Sequence, residues 1–380
     1  MADTFPAVTV HIFDSMGRRL GMWEAGKTGG AARQMPFNGP QSLSINVPRP
    51  YASAEMCAFG NLCVIESSSG VELWGGVVRG PRRWTLAGPS VTIQSWETFL
   101  QDLFTPQLVS LRGLTVGAVI EKVLSDALAK QPSPLAIGNV ADIGGITTHQ
   151  FRSESVLGII QSLRTTGGRF DVKTGRFRSA TGAFVAGPSL EDTAGEVSFA
   201  AGGFDWWCET VWDDNESHPR GVFNLSPRAG RDSGVVLSEG VNVASVDFTE
   251  DDAAAVTRAT VIGNSPDNWG ERPFHTVADP ALSAQLGWPR VAVAVRTDLR
   301  DFEAVRAAAA GMVAGVASSL VVGVTNERGE WASIRNGDTV WVDLPSFTFA
   351  QNEGPLPRRV IGRTVDEVAG VQTLQLTDEG

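Results

Sequence analysis

The chain has 380 residues and carries 31 basic against 42 acidic side chains, a net charge of -11. That balance argues against a protein that wraps nucleic acid or lies on an anionic membrane, since both require a basic face, and no apolar run approaches the ~18 residues of a membrane span. The 42 glycines and 20 prolines favour many short strands and turns over a few long helices, in a length that suits roughly two to four domains.

Residues 7–13 alternate as a strand, with residues 20–24 as the expected hairpin partner, and Ser42 to Val47 reads as another strand with Leu43, Ile45 and Val47 on one face. A meander over 61–96 follows. Trp96, Phe99, Leu100, Leu103 and Phe104 then fall at helical spacing, and Pro106 stops the turn. From Leu114 to Gln131 the period is helical, with Val116, Val119, Ile120, Val123, Leu124 and Leu128 on one stripe and Pro132 and Pro134 beyond it. Glu154 to Thr166 is a second amphipathic helix closed by Gly167 and Gly168, and Arg169 to Phe177 reads as a hairpin. Further strands are expected over 203–212, 222–225, 241–248, 256–262 and 291–295, and a third helix from Asp301 to Leu320.

One short β grammar is stated twice. Gly60 and Asn61 open Leu62 to Ile65, followed by Leu73 to Val78 and Val91 to Gln94. Gly337 and Asp338 open Thr339 to Val342, followed by Arg359 to Gly362 and Thr373 to Leu376. Each copy starts on a turn that tolerates left-handed backbone and continues in β-branched and aromatic runs. The expectation is a mainly β chain with an α+β insertion: two related antiparallel β-barrel domains, residues 1–104 and 201–380, the second with one long helix, flanking a small α/β domain at 105–200. Two quasi-equivalent barrels in one subunit allow three subunits to build a ring of six similar positions.

Candidate chemistry is sparse. Gly21 to Thr28 satisfies the G-x-x-x-x-G-K-[ST] phosphate-loop pattern, but Arg18 and Arg19 precede it, Glu24 would put a carboxylate in the cradle, and Gly29, Gly30 and Pro36 interrupt any following helix. It reads as a strand running into a loop. Asp213, Asp214, Glu216 and His218 crowd one polar stretch without calcium-loop spacing and read as a solvated hairpin loop; Glu250, Asp251 and Asp252 read as a loop or cap. His11, His149 and His275 stand apart from Cys or carboxylate partners, and Cys57, Cys63 and Cys208 read as buried thiols. Of the eleven tryptophans, Trp74, Trp84 and Trp341 sit in strand patterns and read as core rather than a sugar platform. No nucleophile signature is present, so no catalytic, cofactor-binding or metal-ligating residue is nominated, no cofactor is expected, and the chain is read as a non-enzyme. Met1 to Pro6 carry Asp3 and no basic n-region, which reads as no secretory signal.

Taken in order, these pieces resemble the tail hub proteins of long-tailed bacteriophages of the siphophage type. The resembling residues are Pro48 to Pro50, the Phe59 to Asn61 turn into Leu73 to Val77, the strand and helix from Val91 to Phe104, the Ser155 to Gly168 helix before Phe170 to Val172, Phe204 to Trp206 leading to Pro227 through Gly230, and Asn336 to Asp338 with its strand. The resemblance implies a virion structural protein of the tail tip, assembled in the host cytoplasm, without the longer extensions some relatives carry. It implies a homotrimeric, pseudo-hexameric ring that adapts a six-fold tail tube to a three-fold tip. The implied partners are the distal tail protein or tail tube above and tip, fibre or spike proteins below, with tape measure protein and DNA only in transit through the lumen and no membrane anchor. The alternative is a tail-tip carbohydrate-binding or cell-wall-degrading protein.

Overall fold

The computed structural model describes residues 8–24, 31–47, 49–67, 73–105, 109–143, 147–151, 154–165, 168–171, 176–179, 196–199, 204–212, 218–251, 253, 255–264, 272–296, 302–313, 317–325, 334–346, 354–366 and 371–378. The fold is mainly β. The first unit holds β1 (Val8–Phe13), β2 (Arg19–Glu24), β3 (Ala31–Pro36), β4 (Ser42–Asn46), β5 (Leu62–Ser67), β6 (Leu73–Val78), β7 (Arg83–Thr85) and β8 (Gly88–Ser95). In space they lie in the order β3-β4-β8-β6-β5-β1-β2, with β7 beside β8. Alternation puts Val10, Ile12, Leu43, Ile45, Ile65, Val91 and Ile93 into one core with Trp23 and Trp74.

The middle of the chain packs helices on short sheets. After a 3-10 turn at Trp96–Thr98 come α1 (Phe99–Asp102), β9 (Val109–Leu114), α2 (Val116–Lys130), β10 (Leu135–Val140), β11 (Thr147–Phe151), α3 (Val156–Thr165), β12 (Gly168–Asp171), β13 (Arg176–Ser179) and β14 (Glu196–Phe199). The predicted helical stripe of α2 is buried apart from the half-buried Leu128, and Thr115 caps its first turn by accepting from Ala118 N at 3.2 Å. The hairpin β15 (Asp205–Trp212) and β16 (Pro219–Ser226) joins this layer, because β16 pairs in parallel with β10 and Trp206, Phe223 and Leu225 enter the same core as Ile120 and Ile160.

The remaining elements are β17 (Asp232–Ser238), β18 (Val243–Asp251), β19 (Arg258–Ile262), β20 (Phe274–Ala278), α4 (Pro280–Leu286), β21 (Val291–Val295), α5 (Phe302–Met312), β22 (Ala317–Thr325), β23 (Thr339–Asp343), β24 (Leu356–Asp366) and β25 (Val371–Asp378). β19, β20 and β21 form a separate small sheet under α5, with Val261 against Val305 and Ala309. The expected helix to Leu320 ends at Met312. Leu320 belongs to β22, where Val321, Val322 and Val324 prefer a strand held between β18 and β25.

The doubled grammar folds twice into the same object. The second unit runs β18-β22-β25-β24-β23-β17 in space, matching β3-β4-β8-β6-β5-β1 strand for strand and also in chain order. Leu62 faces Val77 and Ile65 faces Trp74, as Thr339 faces Arg359 and Val342 faces Leu356. Beyond β6, Arg83 faces Ser90 and Trp84 faces Pro89, as Thr364 faces Thr373 and Val365 faces Gln372, so β6 and β7 together stand where the single long β24 stands. The opening turns share their hydrogen bonds: Gly60 N donates to Val78 O and Val78 N to Asn61 O, while Gly337 N donates to Val360 O and Val360 N to Asp338 O, all within 2.8–3.0 Å. Gly60 has φ +85° and Gly337 φ +92°, the backbone that these turns require of glycine. The copies differ at one rim, where β17 lies parallel to β23 and β1 antiparallel to β5.

Candidate functional site

The two units are not separate bodies. β3, a rim strand of the first, pairs antiparallel with the far half of β24 in the second, with Met35 opposite Arg363 and Arg33 opposite Val365, so one sheet runs through both. A knot of polar contacts fixes this junction from behind.

Asp205, at the start of β15, is its centre and is only 3 % exposed. Its Oδ1 accepts from Asn38 Nδ2 at 3.3 Å, its Oδ2 accepts from Ala229 N at 2.7 Å and from the Arg359 guanidinium. Arg359 also donates to Ala229 O at 3.1 Å and Gly337 O at 3.3 Å, and lies 5.2 Å over the Phe37 ring. Asn38 turns the chain between β3 and β4 at φ +57°, and its Oδ1 accepts from Trp206 N at 2.7 Å. Asn336 Nδ2 donates to Met35 O at 2.8 Å, and the buried Arg363 binds Ile334 O. A carboxylate so fully saturated by donors makes a good rivet. Nearby, Arg164 donates to Phe204 O at 2.9 Å; burial lowers its pKa, Asp205 pulls it back up and Arg359 pushes it down.

The turn that belongs to the second grammar closes against this knot. A Cβ on Gly230, which has φ +89°, would meet the Gly337 carbonyl at 2.1 Å, and one on Gly337 would meet Ala229 O at 2.8 Å. The segments Phe204 to Trp206, Pro227 to Gly230 and Asn336 to Asp338, distant in sequence, therefore meet at one place.

A second buried carboxyl, Glu97, lies where the 3-10 turn after β8 meets β15. Its Oε1 accepts from Cys208 N at 2.9 Å. Burial pushes its pKa above the usual carboxylate range, against weaker lowering by hydrogen bonds from Ser95 and Cys208. Because the folded-state pKa is the higher one, the folded protein holds its proton longer than the unfolded chain. Stability from this group is thus lost as pH rises from the unfolded value of 4.5 through the raised folded one. Glu97→Gln keeps the oxygen acceptor and removes the buried charge. Denaturation midpoints should show the variant gaining on the parent as pH rises from about 4 to 8; a gain that shrank with pH would contradict this.

The other sequence candidates do not gather. Gly21 to Glu24 lie in β2, and Gly26 to Thr28 fall outside the described residues, as do Asp213, Asp214, Glu216 and Asp252. Glu250 and Asp251 end β18. His11 contacts Glu66 at 3.2 Å and Arg19 at 3.1 Å, His149 lies in β11, and His275 stands edge-on to Phe302. Among the described residues no three His, Cys, Asp or Glu side chains group as metal ligands. Cys57 and Cys63 are buried, and burial raises the pKa of all three thiols. Trp74 is buried and Trp341 half-buried, but Trp84 is 50 % exposed, contrary to its expected place in a core. β7 is a strand with no described layer over it. What sequence reasoning missed is the knot itself, whose hydrogen-bonded partners are separated by as many as 301 positions; its only local signal is one aspartate leading a run of tryptophans.

No protein-family model matches the sequence, and no curated protein matches it. Solved structures do. The tail protein from Neisseria meningitidis MC58 matches over 98 % of this chain and 97 % of its own, with TM-score 0.58 and 15 % identity. The prophage MuSo2 43 kDa tail protein from Shewanella oneidensis matches over 98 % of both chains, with TM-score 0.57 and 10 % identity. Prophage tail protein gp18 from Listeria monocytogenes matches over 98 % of this chain and 95 % of its own, with TM-score 0.54 and 10 % identity. The whole chain has the fold of phage tail proteins.

Proposed function

We propose that this chain is a structural hub protein of a phage tail tip. Three copies form a ring of six nearly equivalent β units that adapts a six-fold tail tube to a three-fold tip. The observation that carries this reading is the repeat: two units with the same strand order and register, joined edge to edge, are what each subunit of a closed three-fold ring of such units must supply. Likeness to tail proteins along nearly the full chain supports the same reading. The unit of β1–β8 and the unit of β17, β18 and β22–β25 supply the ring positions, and the layer of α2, α3, β15 and β16 sits beside them. The distal tail protein or tail tube binds above, tip, fibre or spike proteins bind below, and tape measure protein and DNA pass through the lumen, where a net negative charge keeps DNA from sticking.

The role is geometric and requires no reaction. The buried, donor-saturated Asp205–Arg359 pair fits that role, because it holds the angle between the units. Native mass spectrometry or light scattering tests the proposal: the purified protein should run at three times its 40.4 kDa chain mass, with the share of trimer rising with concentration. Monomers persisting at high concentration would refute it.

A further inference from the structure

We propose that the bare apolar face of the β19–β21 sheet packs on the aromatic patch beside the Gly60 turn of the next copy, and that this contact closes the ring. It rests on the ring reading above and names the two surfaces that meet.

The small sheet is built to be covered twice. β19 and β21 run parallel, and Val291 to Val295 is apolar at every position, as in strands buried on both faces. One face is covered, with Val261, Val277 and Ala294 against Val305 and Ala309 of α5. Register puts larger side chains on the other: Val295 beside Ile262 and Phe274, Val293 beside Thr260 and Thr276, and Val291 beside Arg258. There Phe274, Val291, Val293 and Val295 are 57–65 % exposed. The first unit carries a bare patch of its own. Phe59 and Trp84 flank the Arg82 guanidinium at 4.4 and 5.9 Å, and Arg49 N donates to Ala87 O at 3.0 Å, which brings the 3-10 turn ending at Tyr51 against the tip of the β7–β8 hairpin. Tyr51, Phe59, Trp84 and Leu86 are all at least half exposed.

The internal junction is the template for their meeting. β18 and β22 stand where β3 and β4 stand, so the connection from β18 to β22, which holds β19–β21 and α5, replaces the turn at 37–41. Inside the chain that turn reaches the Gly337 turn of the other unit: Asn38 binds Trp206 N and Asp205, and a Cβ on Gly337 would lie 3.2 Å from the Phe37 ring. Gly337 is buried there. Gly60, its counterpart, is exposed, and a Cβ on it would find nothing within 4 Å. The same step around the ring brings the β18–β22 connection of one copy onto the Gly60 turn of the next and supplies that missing cover. The area is sufficient. With roughly 150–250 Å² for a whole aromatic side chain and less for valine or leucine, the eight exposed side chains offer on the order of 900 Å², the apolar share of a standard interface of about 1,600 Å². Charge agrees, since Arg258 is the one charged residue among the described residues of the sheet face. Glu55, exposed at the foot of the Gly60 turn where its carbonyl accepts from Asn61 Nδ2 at 2.7 Å, meets the equally exposed Arg18 inside the chain. Each copy uses each face once, so the contact repeats around three copies.

Complementation tests the pairing. Val293→Glu on the sheet and Phe59→Glu on the patch each put a charge into the contact, and each should raise the concentration needed for assembly at least about tenfold. Both sites are exposed in the single chain, so the far-ultraviolet circular dichroism and melting midpoint of the unassembled chain should stay those of the parent. Each variant keeps one sound face. Mixed at a concentration where neither associates alone, the two should form one-to-one pairs by native mass spectrometry, the sheet of the Phe59→Glu chain on the patch of the Val293→Glu chain. If the parent trimerises and either variant assembles as well as it does, or the mixture gives no pairs, this contact is wrong and the ring survives. If the parent stays monomeric, the ring reading fails and takes the contact with it.

Discussion

Arg359→Ala should cost the protein about 3–5 kcal/mol of stability, the largest effect of any single polar substitution at the junction. The substitution leaves the Asp205 carboxylate, with 4 % of its side chain exposed, without its cation in a place water does not reach. It also releases Ala229 O and Gly337 O and uncovers the Phe37 ring. The pair's own net contribution is modest, because burying both charges costs nearly what their attraction returns; breaking it exposes the whole desolvation cost. Lys122→Ala is the control. Lys122 binds Asp126 at 2.7 Å on α2, but both side chains are more than two-fifths exposed, and a helix-surface pair of this kind contributes only about 0.3–0.5 kcal/mol. Urea midpoints at one protein concentration read the difference. Equal losses in the two variants would show that the knot bears no special weight.

The second large effect comes from one added methyl group. Gly230→Ala should destabilise by about 3 kcal/mol or more, since φ +89° is strained for any L side chain and the new Cβ would lie 2.1 Å from the Gly337 carbonyl. Both neighbours there are backbone, pinned by the Arg359 hydrogen bonds, and neither can yield cheaply. Gly60→Ala separates strain from collision. Its φ of +85° is nearly the same, yet a Cβ added there would find nothing within 4 Å, so only the backbone term of about 1–2 kcal/mol remains. The difference between the two variants measures how tightly the second turn is packed into the junction. Calorimetry or denaturant titration giving equal losses would contradict the collision.

The parts of this fold legible in the sequence are those where local preference and burial agree. The meanders after Gly60 and Gly337 are written in β-branched and aromatic residues, and the stripe of α2 repeats at helical spacing over four turns; both fold as their patterns predict. The strand that matters most, β3, is not legible. Ala31 to Pro36 hold no β-branched residue and end on proline, and only the flanking partners β4 and β24 make the segment extended. The overlong reading of α5 fails for the converse reason, since an alanine-rich helix runs directly toward a valine-rich strand whose partners lie far away in sequence. The Asp205 knot carries no spacing signal because its members come from the β3–β4 turn, the start of β15, the loop before β17 and β24. Its segments nonetheless stand out by their resemblance to hub proteins, and folding brings three of them together.

Electron cryo-microscopy of the purified protein, at a resolution that separates strands, tests the central claim most directly. The account predicts a three-fold particle with six similar β lobes of two alternating kinds, the two lobes of each chain joined by β3 on β24. A particle of single chains, or one whose lobes do not repeat in three-fold symmetry, would contradict it.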